Sequence, residues 1–262
     1  MKILLTNDDG YTSEGLNTLA DVLEKAGHDI WICAPTFERS ASSHAMTLRE
    51  DITITEYQPN RYHCSGKPAD CILYASRVGL FGEKPDVVIS GINHGYNIST
   101  DVLYSGTVAA AREAAINGMK AIAISAAKDE DGRFAFIEGA RFVRDNLAFF
   151  MDLVDETTII SINVPPRPNG KAKPANLAYL EYHDAIATKK SEEVHVVDPS
   201  SVRFGTAVIL TLKGGTGPTQ RCATRESDFQ AVQDGYISIT ALDVLPSINS
   251  AVQTKLASLG GG

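Results

Sequence analysis

The first strand of this chain has little choice but to run through the middle of a sheet. Ile3-Leu4-Leu5 is an unbroken apolar run, and a strand without alternation is one buried on both faces, as in the parallel sheets of α/β proteins. Asn7-Asp8-Asp9-Gly10 follows at once. Consecutive side chains of an extended strand point to opposite faces. Two neighbouring carboxylates therefore serve one site only where the backbone bends, and Gly10 makes such a bend cheap. Acids placed where a buried strand emerges stand where open α/β sheets bind ligands. The same residues also suffice for an Asx-rich turn between strand and helix, so later segments must decide.

Those segments repeat the pattern. Thr12 or Ser13 can cap a helix carrying Leu16, Leu19, Ala20 and Leu23 on one face, with Gly27 at its end. Ile30–Ala34 is a second buried strand stopped by Pro35, which implies a right-handed parallel crossover. The loop Thr36–Thr47 then offers Arg39, Ser40, Ser42, Ser43, His44 and Thr47, a set that also fits an ordinary polar loop. Ile52–Tyr57 alternates like an edge strand or hairpin. Pro68 opens a helix expected to turn Ile72, Leu73, Ala75 and Val78 inward, with Lys67 and Asp70 at its start either touching substrate or solvated.

Asp86–Ser90 is a third buried strand, and the loop after it carries Asn93, His94, Gly95 and Asn97 before Ser105-Gly106-Thr107 and a helix over Val108–Asn117. Hydroxyls and free N–H groups at a helix start form an anion site, although an N-cap alone explains part of the pattern. Lys120–Ser125 and Thr157–Val164 are two more strands, with a long helix over Phe134–Val154 between them. Beyond Pro165 the character changes. The residues 165 to 176 read as a linker, Val194–Val197, Ala207–Leu212 and Ile237–Thr240 as short strands of a smaller, partly antiparallel unit, and Ser247–Leu259 as a terminal helix. The expected fold is α/β, a three-layer Rossmann-like, mostly parallel sheet over residues 1–164, with a β-rich C-terminal subdomain and oligomerisation arm over residues 165–262.

In a parallel sheet the loops ending the first three strands gather at the carboxyl edge. Their donors are two carboxylates, hydroxyls and amides with no cysteine, a set suited to Mg²⁺, Mn²⁺ or Ca²⁺ rather than zinc or copper. A hard cation beside Ser105, Gly106 and Thr107 points to phosphate chemistry. The formal charge of −8 argues against a nucleic-acid polymer as partner, but not against a small phosphorylated substrate whose field a local cation reverses. The four cysteines have no metal-finger spacing, and Cys33 and Cys71 read as buried thiols. With no secretory leader read and no apolar run near the roughly 20 residues of a membrane span, a cytoplasmic protein without membrane contact is expected.

Taken together, TNDDG, APTFERSASSHAMTL, GKPADC, PDVVISGINHGYN, YSGTVAAAREA and, more weakly, INVP and DGYISITAL resemble the SurE survival-protein nucleotidases. The resemblance is dense over residues 1 to 125 and recurs to about residue 245. It implies a metal-dependent phosphohydrolase acting on nucleoside 5′-monophosphates, some members also taking 3′-nucleotides and short polyphosphate. It implies one divalent cation per subunit, Mg²⁺ or Mn²⁺ (Ca²⁺ in crystals), held by Asp8, Asp9, Ser40 and Asn93. Asn97, Ser105, Gly106 and Thr107 look like the phosphate-contacting set. A homodimer or homotetramer built by exchange of C-terminal arms is implied as well. Departures are Ala41 where the family has glycine, Lys67 where it has threonine, Ala241 where it has proline, and a poor match from Lys171 to Gly205.

Asp8 and Asp9 are the expected catalytic residues, as cation ligands or with one of them accepting a proton from water. His44 and His94 are the histidines at hand for a general base, although both also read as loop histidines. A phosphoaspartyl route is disfavoured because a metal-held carboxylate is a poor nucleophile. The alternative is a non-catalytic nucleotide-binding protein, or a dinucleotide- or nucleotide-sugar-binding one. Against the last stand the two anions of the first turn and the missing G-x-G-x-x-G.

Overall fold

In a computed structural model, which describes residues 1–190, 193–196, 210–220, 226–250 and 252, the opening crossover is present as β1 (Lys2–Thr6), α1 (Glu14–Lys25) and β2 (Asp29–Pro35). The lack of alternation in β1 has the cause expected. Ile3 and Leu5 pack into one core with α1, while Leu4 packs into a second core on the opposite face. A hairpin of β3 (Ile54–Gln58) and β4 (Arg61–Cys64) follows, then α2 (Pro68–Arg77), β5 (Val87–His94), a short 3₁₀ helix (Ser99–Leu103), α3 (Gly106–Ile116), β6 (Ala121–Ala126), α4 (Phe136–Met151) and β7 (Thr158–Val164).

The main sheet has the strand order β3-β4-β2-β1-β5-β6-β7 and continues through two later strands, β12 (Ile237–Asp243) and β8 (Ala172–Pro174). From β4 to β7 all neighbours are parallel. The cores fix the layers: α1 and α4 lie against one face, α2 and α3 against the other. The chain leaves β1 toward β2 and β4, then returns through α2 to place β5 on the other side of β1. The crevice between the loops after β1 and β5 is thus a topological switch point, where open α/β sheets bind ligands.

Several expectations need correction. Helix α2 ends at Arg77, so Val78 caps it and is 61% exposed instead of inward; Leu73 is half-buried. Asp70 is neither solvated nor free, being fully buried and hydrogen-bonded. Helix α4 starts two residues late because the Asp129 carboxylate accepts the N–H groups of Asp131 and Arg133, folding a turn that bridges Phe134 to Lys128. At its other end α4 stops at Met151, and Val154 packs into the core from the following turn. The last strand, β12, pairs antiparallel with β7 in the main sheet. A separate antiparallel sheet of three strands joins β9 (Leu180–Lys190), β10 (Glu193–Val196) and β11 (Leu210–Gln220) in the order β10-β9-β11. The expected strands over 194–197 and 207–212 lie partly outside the described residues, and the helix expected over 247–259 almost wholly so. Among the described residues no helix is long and apolar enough to cross a membrane.

Candidate active site

The bend after β1 is locked from several sides. Gly10 takes φ +99°, a conformation glycine reaches without strain. The Asn7 amide donates to the Gly10 carbonyl (2.9 Å) and to Ser13 Oγ (2.6 Å), and Ser13, the N-cap of α1, makes no side-chain cap bond. Tyr11 N–H reaches the Pro35 carbonyl (2.9 Å) and Arg39 N–H the Asp8 carbonyl (2.7 Å), tying the acidic turn to the end of β2. Both carboxylates are then aimed at different neighbours.

Asp8 lies on the first turn of α3. Thr107 donates its hydroxyl to Asp8 Oδ1, and Gly106 packs so closely that a β-carbon there would sit 2.9 Å from the Asp8 Cβ. Only 4% of Asp8 is exposed. Burial pushes its pKa up to about 6 and the Asp9 charge adds to that, against the Thr107 hydrogen bond, which lowers it. Asp9 turns the other way. His94 Nδ1 lies 2.9 Å from Asp9 Oδ1, and the His94 N–H donates to Oδ2 at 3.2 Å. The ring's contact with Asp9 and the Asp9 charge hold the His94 pKa above its usual value against partial burial.

Asp8, Ser40, Asn93, Asn97 and Ser105 line one cleft of about 250 Å³, together with His94, Tyr96, Asp101 and Tyr104. Asp9, Gly106 and Thr107 are not on its wall but touch residues that are. Larger cavities exist, one of about 1100 Å³ lined by Arg112, Lys173 and Tyr179 among others, yet it holds neither Asp8 nor Asp9 nor the Asn93 loop. Volume therefore does not select the site; the carboxylates do. His44 does not face this cleft, since its Nε2 pairs with buried Glu113 at 2.9 Å.

Of the four residues expected to hold a cation, Asp8, Ser40 and Asn93 line the cleft and Asp9 does not. Ser40 gives its hydroxyl hydrogen to Glu38 (2.7 Å), Asn93 gives its amide to the Gly95 carbonyl (2.9 Å), and donors from Thr107 and His94 engage Asp8 and Asp9. The Ser40 hydroxyl hydrogen and one Asn93 amide hydrogen are thus committed to protein partners, and oxygen lone pairs remain. An oxygen-only set with two adjacent carboxylates fits a hard cation that keeps part of its water shell. Among the described residues no group of three or more His, Cys, Asp or Glu side chains could hold a metal, so none of them forms the Cys- and His-rich cluster that zinc or copper favours.

Asn97 and Ser105 are set by residues the sequence reading left without a role. The Asn97 amide donates to Ser125 Oγ (2.8 Å), and Asn97 N–H reaches Asn163 Oδ1 (2.8 Å) from β7. Ser105 Oγ accepts from Val108 N–H (3.0 Å), a true N-cap that leaves its own hydrogen to give. Asp101, on the cleft wall, is raised in pKa by burial and accepts from the Tyr182 hydroxyl of β9. Its 3₁₀ helix is braced by Asp228, which accepts both the N–H and the hydroxyl of Ser99. Asn163 lies in the Ile-Asn-Val-Pro stretch, the one signal that could have marked it.

This arrangement has relatives. Residues 3–184 match the profile of the survival protein SurE family. The chain belongs to the SurE family. The 5′-nucleotidase SurE of Erythrobacter litoralis is 33% identical over 250 residues, covering 93% of this chain and 94% of that one. That of Desulfitobacterium hafniense is 39% identical over 250 residues, covering 92% and 90%. The crystal structure of the SurE protein from Aquifex aeolicus superposes with a TM-score of 0.79 at 29% identity over 99% of this chain and 100% of that one. The SurE match spans every strand and loop that builds the cleft, from β1 to Asn163.

Proposed function

We propose that this SurE-family chain is a divalent-cation-dependent 5′-nucleotidase that hydrolyses nucleoside 5′-monophosphates to nucleoside and phosphate, with 3′-nucleotides and short polyphosphate as further substrates. The observation that carries it is Asp8, a buried carboxylate on the first turn of α3 with a second carboxylate beside it. Ionising such a group near neutral pH is costly unless a cation shares the site. Asp8, Asp9, Ser40 and Asn93 would hold one Mg²⁺ or Mn²⁺. Bound there, a divalent ion neutralises a phosphoryl oxygen and makes a water more acidic.

The chain's own groups then do the rest. The N–H of Gly106, at the first position of α3, has no intrahelical partner and can bind a phosphoryl oxygen. Ser105 offers its hydroxyl hydrogen, and Asn97 a second amide hydrogen, to the same oxygens. Thr107 serves mainly by fixing Asp8, since its hydroxyl is given to that carboxylate. The three-stranded sheet and the exposed Tyr179, Leu245 and Ile248 are the surface for a homodimer or homotetramer.

Hydrolysis of p-nitrophenyl phosphate with EDTA, Mg²⁺ or Mn²⁺, followed by a panel of 5′- and 3′-nucleotides and short polyphosphate, tests this reading. Phosphate release that needs the metal and is fastest on 5′-nucleotides is expected. Release indifferent to EDTA would remove the cation from the account. Nucleotide binding without release would make the chain a non-catalytic nucleotide-binding protein.

A further inference from the structure

His94 makes two contacts to one carboxylate, and it lies in a slot built to hold its ring. Its Nδ1 is 2.9 Å from Asp9 Oδ1 while its main-chain N–H donates to Oδ2 at 3.2 Å. The imidazole stands edge-on to Phe134 (4.9 Å, 89°) and to Phe136 (5.0 Å, 87°), and those two rings are stacked on each other at 4.8 Å and 6°. Phe136 is part of the buried core, so the slot is anchored to the body of the fold. The main chain of residue 94 is fixed too, paired in register with Ala126 of β6.

A carboxylate has about two acceptor sites on each oxygen. One residue occupying one site on each oxygen fixes the plane of the group and leaves a second site on each. Without that fork a short aspartate side chain retains its rotamer freedom. The neighbour of His94 in sequence, Asn93, lines the cleft as His94 does, so the tip of β5 supplies an expected ligand and a brace in consecutive positions.

We infer that His94 is the positioning residue for Asp9, clamped by Phe134 and Phe136 so that the carboxylate is presented to a divalent cation in one orientation. The inference rests on the reading that Asp9 is a cation ligand. Partners that orient a metal ligand through hydrogen bonds are typically worth about 10–100-fold in metal affinity, and that is the effect expected here.

The test is a Mn²⁺ titration of the full-length chain, following free Mn²⁺ by electron paramagnetic resonance and binding heat by calorimetry, with thermal melts to confirm folding. His94→Ala should weaken Mn²⁺ binding about 10–100-fold. His94→Asn, whose amide nitrogen falls near the position of Nδ1, should recover most of that loss. Phe134→Leu, which keeps the histidine and loosens its slot, should give a smaller loss in the same direction. If wild type and Asp9→Asn bind Mn²⁺ alike, the cation reading itself fails. If Asp9→Asn loses the ion while His94→Ala binds as wild type does, the reading stands and the inference is overturned. Equal losses in the Ala and Asn variants would also overturn it, because the ring's bulk and not its hydrogen bond would be responsible.

Discussion

At the start of α2, Asp70 is 0% exposed, and its carboxylate accepts the N–H and hydroxyl of Thr47 (3.0 and 2.7 Å) and the N–H of Lys67 (2.8 Å). At the start of α3, Asp8 is almost as deeply buried, yet its hydrogen bonding is concentrated on Thr107 and a second anion stands beside it. Each carboxylate complements the positive end of a helix. Asp70 does so as a closed capping arrangement that ties the loop after β2 to α2. Asp8 does so beside an open cleft, with its pKa pushed up to about 6 by burial. Burial alone therefore does not mark a functional acid. What separates the two is the balance between charge and donors: a satisfied buried carboxylate is structural, and one left short is where, under the proposed function, a cation would bind.

Asp8→Asn gives the largest effect expected from this contrast: loss of metal-supported phosphate release with the fold retained. The same change should stabilise the metal-free protein. The folded-state pKa of Asp8, about 6, lies above its ordinary 3.8, so the folded state binds the proton more tightly. Stability is then highest below the ordinary value and falls as pH rises toward 6, by about 3 kcal/mol in total. Metal-free Asp8→Asn should accordingly melt several degrees above wild type at pH 8, and the advantage should vanish near pH 4. Thermal melts in EDTA across that range check it; an Asn variant melting lower at pH 8 would show Asp8 to be as well satisfied as Asp70.

Gly106→Ala comes next. The added β-carbon would lie 2.7 Å from Ser42 Oγ and 2.9 Å from Asp8 Oδ2, so the carboxylate must shift. Misplacement of a reacting group on that scale costs about 100-fold in rate, with a modest change in melting temperature. For Asp70→Ala the pattern reverses. The Thr47 and Lys67 donors lose their acceptor, which should cost roughly 2–4 kcal/mol of stability in urea unfolding, while turnover per folded molecule stays near wild type. A catalytic loss larger than the stability loss explains would place the α2 terminus in the site and end the distinction.

The framework was legible because its causes are local. Unalternating runs such as Ile3-Leu4-Leu5 and Asp86–Ser90 report burial on two faces, and the acidic turn follows from its own bend. What stayed hidden depends on partners remote in sequence. Thr107 and Asp8 are 99 residues apart, so nothing in Ser105-Gly106-Thr107 announces that the hydroxyl donates to the aspartate. Asp70 reads from sequence as touching substrate or solvated because its acceptor role needs Thr47 from another loop. Val78 was misplaced for another reason: helical periodicity says where residue 78 would point if the helix continued, but not that it ends at Arg77. Ile237–Thr240 announced a strand, yet only tertiary pairing assigns it to β7.

Lys67→Thr, restoring the residue the family resemblance leads one to expect, should have the smallest effect and most sharply defines the boundary between the two helix ends. The capping donor at this position is the main-chain N–H, which any residue supplies. The side chain reaches the Met46 carbonyl at 3.3 Å and lines a separate cavity of about 360 Å³, not the cleft of Asp8. An exposed or half-exposed lysine acting across water and salt contributes little at such range. Stability should change by less than about 0.5 kcal/mol, and kcat/KM on nucleoside monophosphates should stay within about threefold. A tenfold change in kcat/KM between bases, measured over the nucleotide panel, would mean that this cavity receives the nucleoside while the cleft receives its phosphate, and the end of α2 would then belong to the site after all.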